Sequence, residues 1–576
     1  MMKTNREVLT LHFGQAGIQM GNAIWETMIT EHGIQSNGTK DIGNTMSDDF
    51  QNSVKTLFHI SPAGQYYPRS LIVDTEPMVV DEIRSGYYRQ LFHPDLLISG
   101  IEDASNNFAR GFYAIGRKML SPLLEKARYI VESCENFKGF VSYSGSSGGT
   151  GSGLFALFVE RLMLEYSGKL CISSLVLPGQ RLADCIVEPY NTVLRLSETT
   201  DNTDLNILLD NESLYKICNE KLQIHQPTYS NINRLLAPIF SSITAPFRFN
   251  GPGGSDLSDV TTNLVPYPKI TFPALSYSPF LAASNFDHTL ITSDYLTQTA
   301  FDLDNSLLSI DIKKHKIMTS YLIYRGNNNK SDIIKVLENM KNQKAFKWVD
   351  WCPTGFKVAQ TIFPPISNLP AQPQKSLLVL CNHSGIISSL EHTAKKFRTL
   401  FRKKCFLHWY IGEGMELDEL SNAQEELAVL HVCYSDACQI KKIAKHESEP
   451  IQGEQVEMLT IKKQNSKFDE LRMVEMNKEI DSAGERASKQ ISIIKSDPIT
   501  LMRAEMSAEN IKSEPIKKEF IVDNVSDVQR PSATTKTFRA SNEFVFSDKA
   551  KEILMENLTS ISPEMRQRML GFTNVE

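Results

Sequence analysis

The sequence predicts an α/β fold followed by a long tail of different character, on three observations. At two places an apolar run leads into a glycine-rich loop and then into a helix. A third apolar run ends on carboxylates. Composition then changes once, near residue 437, from alternating strand-like and helical segments to charge-dense sequence.

The first unit is "EVLTLHFGQAGIQMGNAIWE", residues 7–26. Leu9, Leu11 and Phe13 alternate as in a strand, Gly14, Gly17 and Gly21 follow, and Trp25 falls on the ensuing helix. Next, "SLIVDTEPMVVDEI" ends an apolar strand on Asp74 and Glu76, and "ISGIEDASNNFARG" sets Glu102, Asp103 and Asn106 in a polar loop. Carboxylates at strand ends, facing glycine loops, supply the hard oxygens that a phosphate-bound Mg²⁺ needs.

The longest glycine loop lies in "SYSGSSGGTGSGLFALFVERL", residues 142–162, where ten of the first twelve residues are glycine or serine. A flexible linker of this composition would have polar flanks. Here Phe137, Phe140, Val141 and Tyr143 precede the loop as a strand. Leu154, Phe155, Leu157, Phe158, Val159, Leu162, Met163 and Leu164 follow, too many for one stripe, and predict a helix buried nearly all round. The free N–H groups and dipole of a helix N-terminus attract phosphate, and glycine lets the backbone approach it. A tight structural turn remains open as a reading. A Walker-type loop is excluded, since no Gly-Lys-Ser/Thr ending is present. Gly151, Gly153 and Ala156 loosely fit the dinucleotide spacing G-x-G-x-x-G/A, which leaves Gly148 to Thr150 unexplained.

Composition bounds the rest. The 576 residues suffice for about two to four domains. With 41% hydrophobic residues and a net charge of −6, the chain reads as an ordinary soluble protein without the basic footprint of nucleic-acid binding. No apolar run is long enough to span a bilayer, and the N-terminus lacks a signal-peptide core. Nine cysteines without a CxxC pair read as reduced thiols of a cytosolic protein. The tail after residue 437, with only three aromatic residues before residue 542, reads as disordered. Near its end, Ser547 or Asp548, and Ser562 with Pro563 and Glu564, mark two short capped helices, a candidate docking element. "IKSD", "IKSE" and "IKKE" fit the acceptor pattern for a ubiquitin-like modifier at Lys495, Lys512 and Lys517.

Read in order, "GQAG", "DTEP", "RSGYYRQLFHPDLLISGIEDASNNFARG", "GGTGSG", "VEPYN", "DNESLYKIC", "PTYSNINRL", "TTNLVPYP", "DWCPTGFKV" and "HWYIGEGM" resemble the tubulins from residue 6 to about 435. The resemblance is closest to α-tubulin, through "EHGIQSNG" and the spacer from Pro365 to Cys381. It implies a Rossmann-like GTP-binding domain (1–211), a core helix and mixed α/β intermediate domain (212–388), C-terminal helices (389–437) and a tail (438–576). It further implies that Gln15, Ala16 and Gln19 form the first phosphate loop, with Gly145, Gly148, Gly149, Thr150 and Gly151 wrapping the phosphates. Asp74 and Glu76 would lie near Mg²⁺, with Glu76 its ligand. Asp103, Ala104 and Asn106 would line the next loop, Asp184 and Glu188 would reach the ribose, and Asn211, Tyr229 and Asn233 would hold guanine. An amide both donates and accepts, which suits a purine edge.

Three departures from the family pattern carry expectations. Ser147 stands at the first glycine of the loop's triplet, where a Cβ would crowd a phosphate or force a changed φ. Asp259 stands where α-tubulins offer a glutamate, as catalytic acid, to the GTP of the next β-subunit, and its shorter reach implies slower turnover. Pro238 falls mid-way along the core helix and predicts a kink or break there. The resemblance thus implies a GTP-binding, microtubule-forming cytoplasmic subunit that pairs with β-tubulin and carries tubulin-type GTPase chemistry. The alternative is a non-polymerising tubulin-fold protein that binds β-tubulin or microtubule ends. An NAD-type enzyme, resting on loose glycine spacing alone, has no catalytic constellation beside it.

Overall fold

Six apolar segments, five buried along nearly their whole length and the short segment 97–99 buried only at Leu97, show the pattern of strands covered on both faces. These are β1 (Glu7–Phe13), β4 (Ser70–Asp74), β5 (Leu97–Ser99), β6 (Phe137–Gly145), β7 (Leu170–Leu177) and β8 (Leu205–Asp210). A small antiparallel hairpin, β2 (Phe58–Ile60) and β3 (Tyr66–Pro68), lies between the first two in sequence. In the computed structural model, which describes residues 6–40, 53–179, 183, 185–249, 256–342, 346–352, 355–367 and 371–439, they form one sheet of order β5-β4-β1-β6-β7-β8. Every pairing in it is parallel. Chain order reverses between β1 and β6, as in a doubly wound nucleotide-binding fold. The chain divides into two units, residues 1–446 and residues 447–576. The second unit, with the tail helices and the three tail lysines of the sequence reading, lies outside the described residues.

Helix α1 (Gly14–Glu31) follows β1 without a spacer. It packs close because a Cβ at Gly17 would meet the Tyr143 carbonyl at 2.3 Å and one at Gly21 the His12 ring at 2.3 Å. The buried His12 stays neutral, its pKa pulled down to about 4 by loss of water. Its Nε2 accepts from the Trp25 indole N–H, 3.2 Å away, so the strand and the following helix are pinned by one imidazole. Helices α2 (Pro77–Ser85), α3 (Ile115–Glu132), α4 (Phe155–Glu165), α5 (Glu188–Thr200) and α6 (Asn211–Glu220) complete the layers on the sheet. In α4 the first five residues and Leu162 are buried, yet Leu164 is 67% exposed. The expected all-round burial therefore holds only for the half of the helix nearest the glycine loop.

Helix α7 (Tyr229–Arg248) opens with a capping box between Thr228 and Asn231 and runs on for 20 residues. It contains both Pro238 and Pro246 and has no break at either, which corrects the break expected at Pro238. A proline in a helix interior costs about 3 kcal/mol. Every residue from Leu235 to Arg248 is buried, and this apolar enclosure, against α1 and the second sheet, outweighs that local cost.

After α8 (Leu257–Leu264) comes a second, mixed sheet. In it β9 (Ala274–Ser278) and β10 (Lys316–Arg325) both run antiparallel to β13 (Ser376–His383). β11 (Lys347–Trp348) and β12 (Phe356–Thr361) pair with β10 in parallel. Helices α9 (Ser293–Ala300) and α10 (Lys330–Asn342) accompany that sheet, and α11 (Ile386–Arg402), α12 (Leu407–Gly412) and α13 (Leu417–Gln439) close the described chain. All nine cysteines are free thiols. No described helix is long and apolar enough to cross a membrane.

Candidate functional site

Because all six strands of the first sheet are parallel, the loops after β1, β4, β5, β6, β7 and β8 emerge along one edge. Ligands of such sheets bind outside the carboxyl ends, where strand order reverses. That point lies between β1 and β6, so the start of α1 faces the long glycine loop. Gly14 sits at φ +71°, a left-handed turn that lets β1 enter α1 directly. A Cβ there would lie 3.2 Å from the Gly151 nitrogen, and one at Gly145 would lie 3.3 Å from the Ala16 Cβ. Gln15 and Ala16, exposed on the first turn of α1, thus share a cradle with residues 145–151. Gln19 is half-buried one turn on. The unpaired N–H groups of that turn, with the helix dipole, favour an anion.

The glycines of the long loop divide by task. A Cβ at Gly149 would meet the Ala104 Cβ at 2.7 Å, at Gly151 the Gly145 carbonyl at 2.5 Å, and at Gly153 the Phe108 carbonyl at 2.2 Å. These three serve close packing of backbone on backbone. Gly148 differs, since its Cβ would find nothing nearer than the Asn106 Oδ1 at 3.8 Å. It borders open space, as a residue beneath a bound phosphate does. Neither Ser147 nor any of Gly148, Gly149 and Gly151 has positive φ. Serine at position 147 therefore sits in the loop without left-handed backbone strain. A π-helical turn, Thr150–Leu154, then leads into α4.

Asp74 ends β4 and is buried, which pushes its carboxyl up to about 6 against hydrogen bonds from Thr150 and from the amides of Thr75 and Glu76. The Thr75 and Thr150 hydroxyls lie 2.7 Å apart, and the Ala104 amide donates to the Thr75 hydroxyl, tying three strand-end loops together. Glu76 caps α2 in extended conformation and is partly exposed on the same edge. In the loop after β5, Asp103 and Asn106 are exposed and Ala104 is buried. Ser105 and Asn106 both lie at φ 51°, a left-handed conformation costing about 1 kcal/mol or more each, and such strain collects at binding loops. Among the described residues no group of three His, Cys, Asp or Glu side chains could enclose a metal. Mg²⁺ needs no such cage, because one or two carboxylates beside phosphate oxygens and water hold it.

At the far end of the edge, Asn211 opens α6, while Tyr229 and Asn233 sit on the first turns of α7. Tyr229 is 51% exposed, with its ring 6.3 Å from that of Tyr215. β8 lies two strands from β6, a span of roughly 10 Å. The edge thus offers an anion cradle and, after the strand two places along, the Asn211 amide at the start of α6, whose Tyr215 lies near the exposed Tyr229 ring. Asp184 lies outside the described residues. Glu188 is buried, with its carboxylate turned back to accept the Cys185 amide at 3.1 Å.

Asn191, quoted within "VEPYN" but given no role in the sequence reading, proves to be the hub of this edge. Its amide nitrogen donates to the carbonyls of Asn106 (2.7 Å) and Ser147 (2.6 Å). Its oxygen accepts from the Phe108 amide (3.1 Å) and the Tyr410 hydroxyl (2.7 Å). All its bonding capacity goes into holding two of the site's loops.

Asp259 is remote in kind from these residues. It stands in the first turn of α8, where its Oδ2 accepts the Asp256 amide at 2.8 Å in a reciprocal capping box. The side chain is half-exposed, and Asp256 also pairs with Arg6 at 2.5 Å.

Comparison with known families agrees with this geometry. Residues 7–219 match the family model described as the Tubulin/FtsZ family, GTPase domain, and residues 268–395 match the Tubulin C-terminal domain. Together the two matches span more than half of the chain, and the first covers the whole parallel sheet with its loops.

Proposed function

The chain belongs to the tubulin family, and from that membership we propose that it is an α-tubulin-like GTP-binding subunit that pairs with β-tubulin in microtubules. The observation that carries nucleotide binding is the juxtaposition, at the point of strand reversal, of the α1 N-terminus with an open Gly148, and of the Asn211 amide two strands away. The amides of Gln15, Ala16 and residues 148–151 bind the phosphates, and Asn211 and Asn233 read the guanine edge against Tyr229. Glu76, with Asp74 behind it, is the carboxylate that would hold Mg²⁺, which when bound there neutralises phosphate charge. Asp103, Ala104 and Asn106 close the phosphate end, and Glu188 shapes the turn before α5, with Asp184 the remaining ribose candidate.

Asp259 supports the α-like assignment and an interface role in hydrolysis. A carboxylate held in the first turn of a short helix, half-exposed, can orient water for the nucleotide of a neighbouring subunit. Its shorter side chain and its bond to the Asp256 amide both limit its reach. A broken core helix at Pro238 would have favoured the non-polymerising alternative, and α7 is continuous through that residue.

Gly148→Ala tests the reading. The added methyl meets no protein atom closer than ordinary contact, so the fold should survive while phosphate is displaced. Wild-type protein, denatured and chromatographed, should release guanine nucleotide. Gly148→Ala should hold GTP at least tenfold more weakly at an unchanged far-ultraviolet spectrum. A folded wild type free of guanine nucleotide would overturn the proposal.

A further inference from the structure

Helix α11 and the residues after it carry a charge pattern that the nucleotide site does not use. Between Ile386 and Lys404 stand Lys395, Lys396, Arg398, Arg402, Lys403 and Lys404 against one carboxylate, Glu391, in a chain whose net charge is −6. Among the described residues, no carboxylate forms an ion pair with Lys395, Arg398, Arg402, Lys403 or Lys404. Such a row is usually only a solvated face. Here it borders a groove.

Between α11 and α13 runs a trough of about 360 Å³ whose floor is Leu390, Phe397, Leu427 and Leu430. At Arg398 and Gln424 it continues into a second hollow of about 480 Å³, rimmed by Lys395, Arg398 and Arg402 over Phe401. On the α13 side the wall is Gln424, Ala428, His431 and Val432, and Val432 is 54% exposed. The surface is therefore an apolar trough between two helices that becomes cationic toward one end.

We propose that this groove is a docking site for an acidic amphipathic protein segment, whose apolar side chains fill the trough and whose carboxylates meet Lys395, Arg398 and Arg402. Charge complementarity selects the partner. The exposed cations bordering Phe401 and Phe397 gain charge-assisted hydrogen bonds from carboxylates brought in on a rigid element, and two packed helices offer the groove in which an amphipathic helix lies. A lipid surface fits less well, because the apolar groups are recessed between helices and cannot insert. Single-stranded nucleic acid would need exposed aromatic rings along the groove for base stacking. The second hollow has a single aromatic side chain in its lining, the part-buried Phe401, which is too few for a row of stacked bases.

The test uses the full chain and a fluorescein-labelled 18-residue helical peptide with leucines at i, i+3, i+4 and i+7 spacing and glutamates elsewhere. Its partner probe replaces every glutamate with lysine. The expected result is saturable binding of the acidic peptide alone, weakened at least tenfold by Arg398→Glu with Arg402→Glu, and weakened by salt. Ala428→Trp, which fills the trough without changing charge, should also abolish it. These residues are exposed or line the surface, and an unchanged unfolding midpoint verifies folding. Equal binding of both peptides, or indifference of the acidic peptide to both variants, overturns the proposal. So does charge-dependent binding confined to phosphatidylserine vesicles or to oligonucleotide.

Discussion

Among the described residues, two of the buried guanidinium environments lie one on each side of the parallel sheet and are solved differently. At the end of α1, Glu31 accepts from Arg248 of α7 at 2.8 Å and forms an ion pair with Arg325 of β10 at 2.9 Å. The Ser241 hydroxyl lies within 2.7 Å of both carboxylate oxygens, and Arg248 further donates to the Ser241 carbonyl, the Thr244 hydroxyl and the neutral His32 ring. On the opposite face Arg195 of α5, just as buried, has no carboxylate. It reaches the Ser144 and Ser173 hydroxyls at 3.2 and 3.4 Å and lies 3.7 Å over the Phe155 ring, and its Nε and Nη1 have no hydrogen-bond partner. Burial disfavours its charged form. The first arrangement ties the core helix to α1 and to the second sheet. The second leaves a positive charge directly beneath the strand end that enters the glycine loop.

The largest expected effect breaks the paired cluster. Glu31→Ala leaves two buried guanidinium groups without a counter-charge and should cost about 3–5 kcal/mol in the free energy of unfolding. Denaturant titration of the mutant beside wild type measures it, and a loss below about 1 kcal/mol would show that the cluster is not a joint. His32 adds nothing to this charge balance, since burial and then the Arg248 charge hold its pKa down to about 3.

Next in size is a pH effect from the same carboxylate. Burial alone would raise the pKa of Glu31, but Arg325 and Arg248, with the Ser241 hydrogen bond, bring it from 4.5 down to about 2. A carboxyl depressed in the folded state stabilises fully above its unfolded pKa. That contribution, roughly 3 kcal/mol, is lost as pH falls from about 4.5 to about 2. Stability measured against pH should fall more steeply through this window in wild type than in Glu31→Gln, and parallel curves would assign acid sensitivity elsewhere.

Neither cluster was legible in the sequence, for a physical reason. Glu31, Arg248 and Arg325 come from distant segments, and only the packing of α7 between α1 and the second sheet brings them together. What could be read were local signals. β1, β4 and β6 appear as continuous apolar runs because both faces are covered, and their glycine or acidic ends mark the loops that do converge. The division of labour between Gly148 and its neighbours could not be read, since composition cannot tell a glycine that admits a ligand from one that admits another backbone. Asn191 went without a role for a related reason, as an amide early in a helix looks like a solvent-facing residue until its four partners from separate loops are seen. Pro238 misled because helix propensity is a local quantity and the enclosure of α7 is not.

The smallest effect on stability, and the sharpest on the comparison, is expected from Arg195→Met. Removing an unpaired buried charge and keeping an unbranched apolar side chain should leave stability unchanged or raise it by about 1 kcal/mol, the opposite sign to Glu31→Ala. Nucleotide affinity should move the other way. Asn191 and Thr192, on the same face of α5, hold the Ser147 carbonyl and the Ser146 hydroxyl, so Arg195 sits below the loop that is to carry phosphate. In a poorly screened interior its charge favours an anion there more than a neutral group. Removing it should therefore weaken GTP several-fold while leaving guanosine almost untouched. Competition binding of the two ligands to wild type and Arg195→Met decides the matter. An equal loss for both ligands would make Arg195 a packing residue only. A fall in stability as large as that of Glu31→Ala would mean that its two serine contacts and the Phe155 ring already compensate the charge, and the contrast between the two environments would disappear.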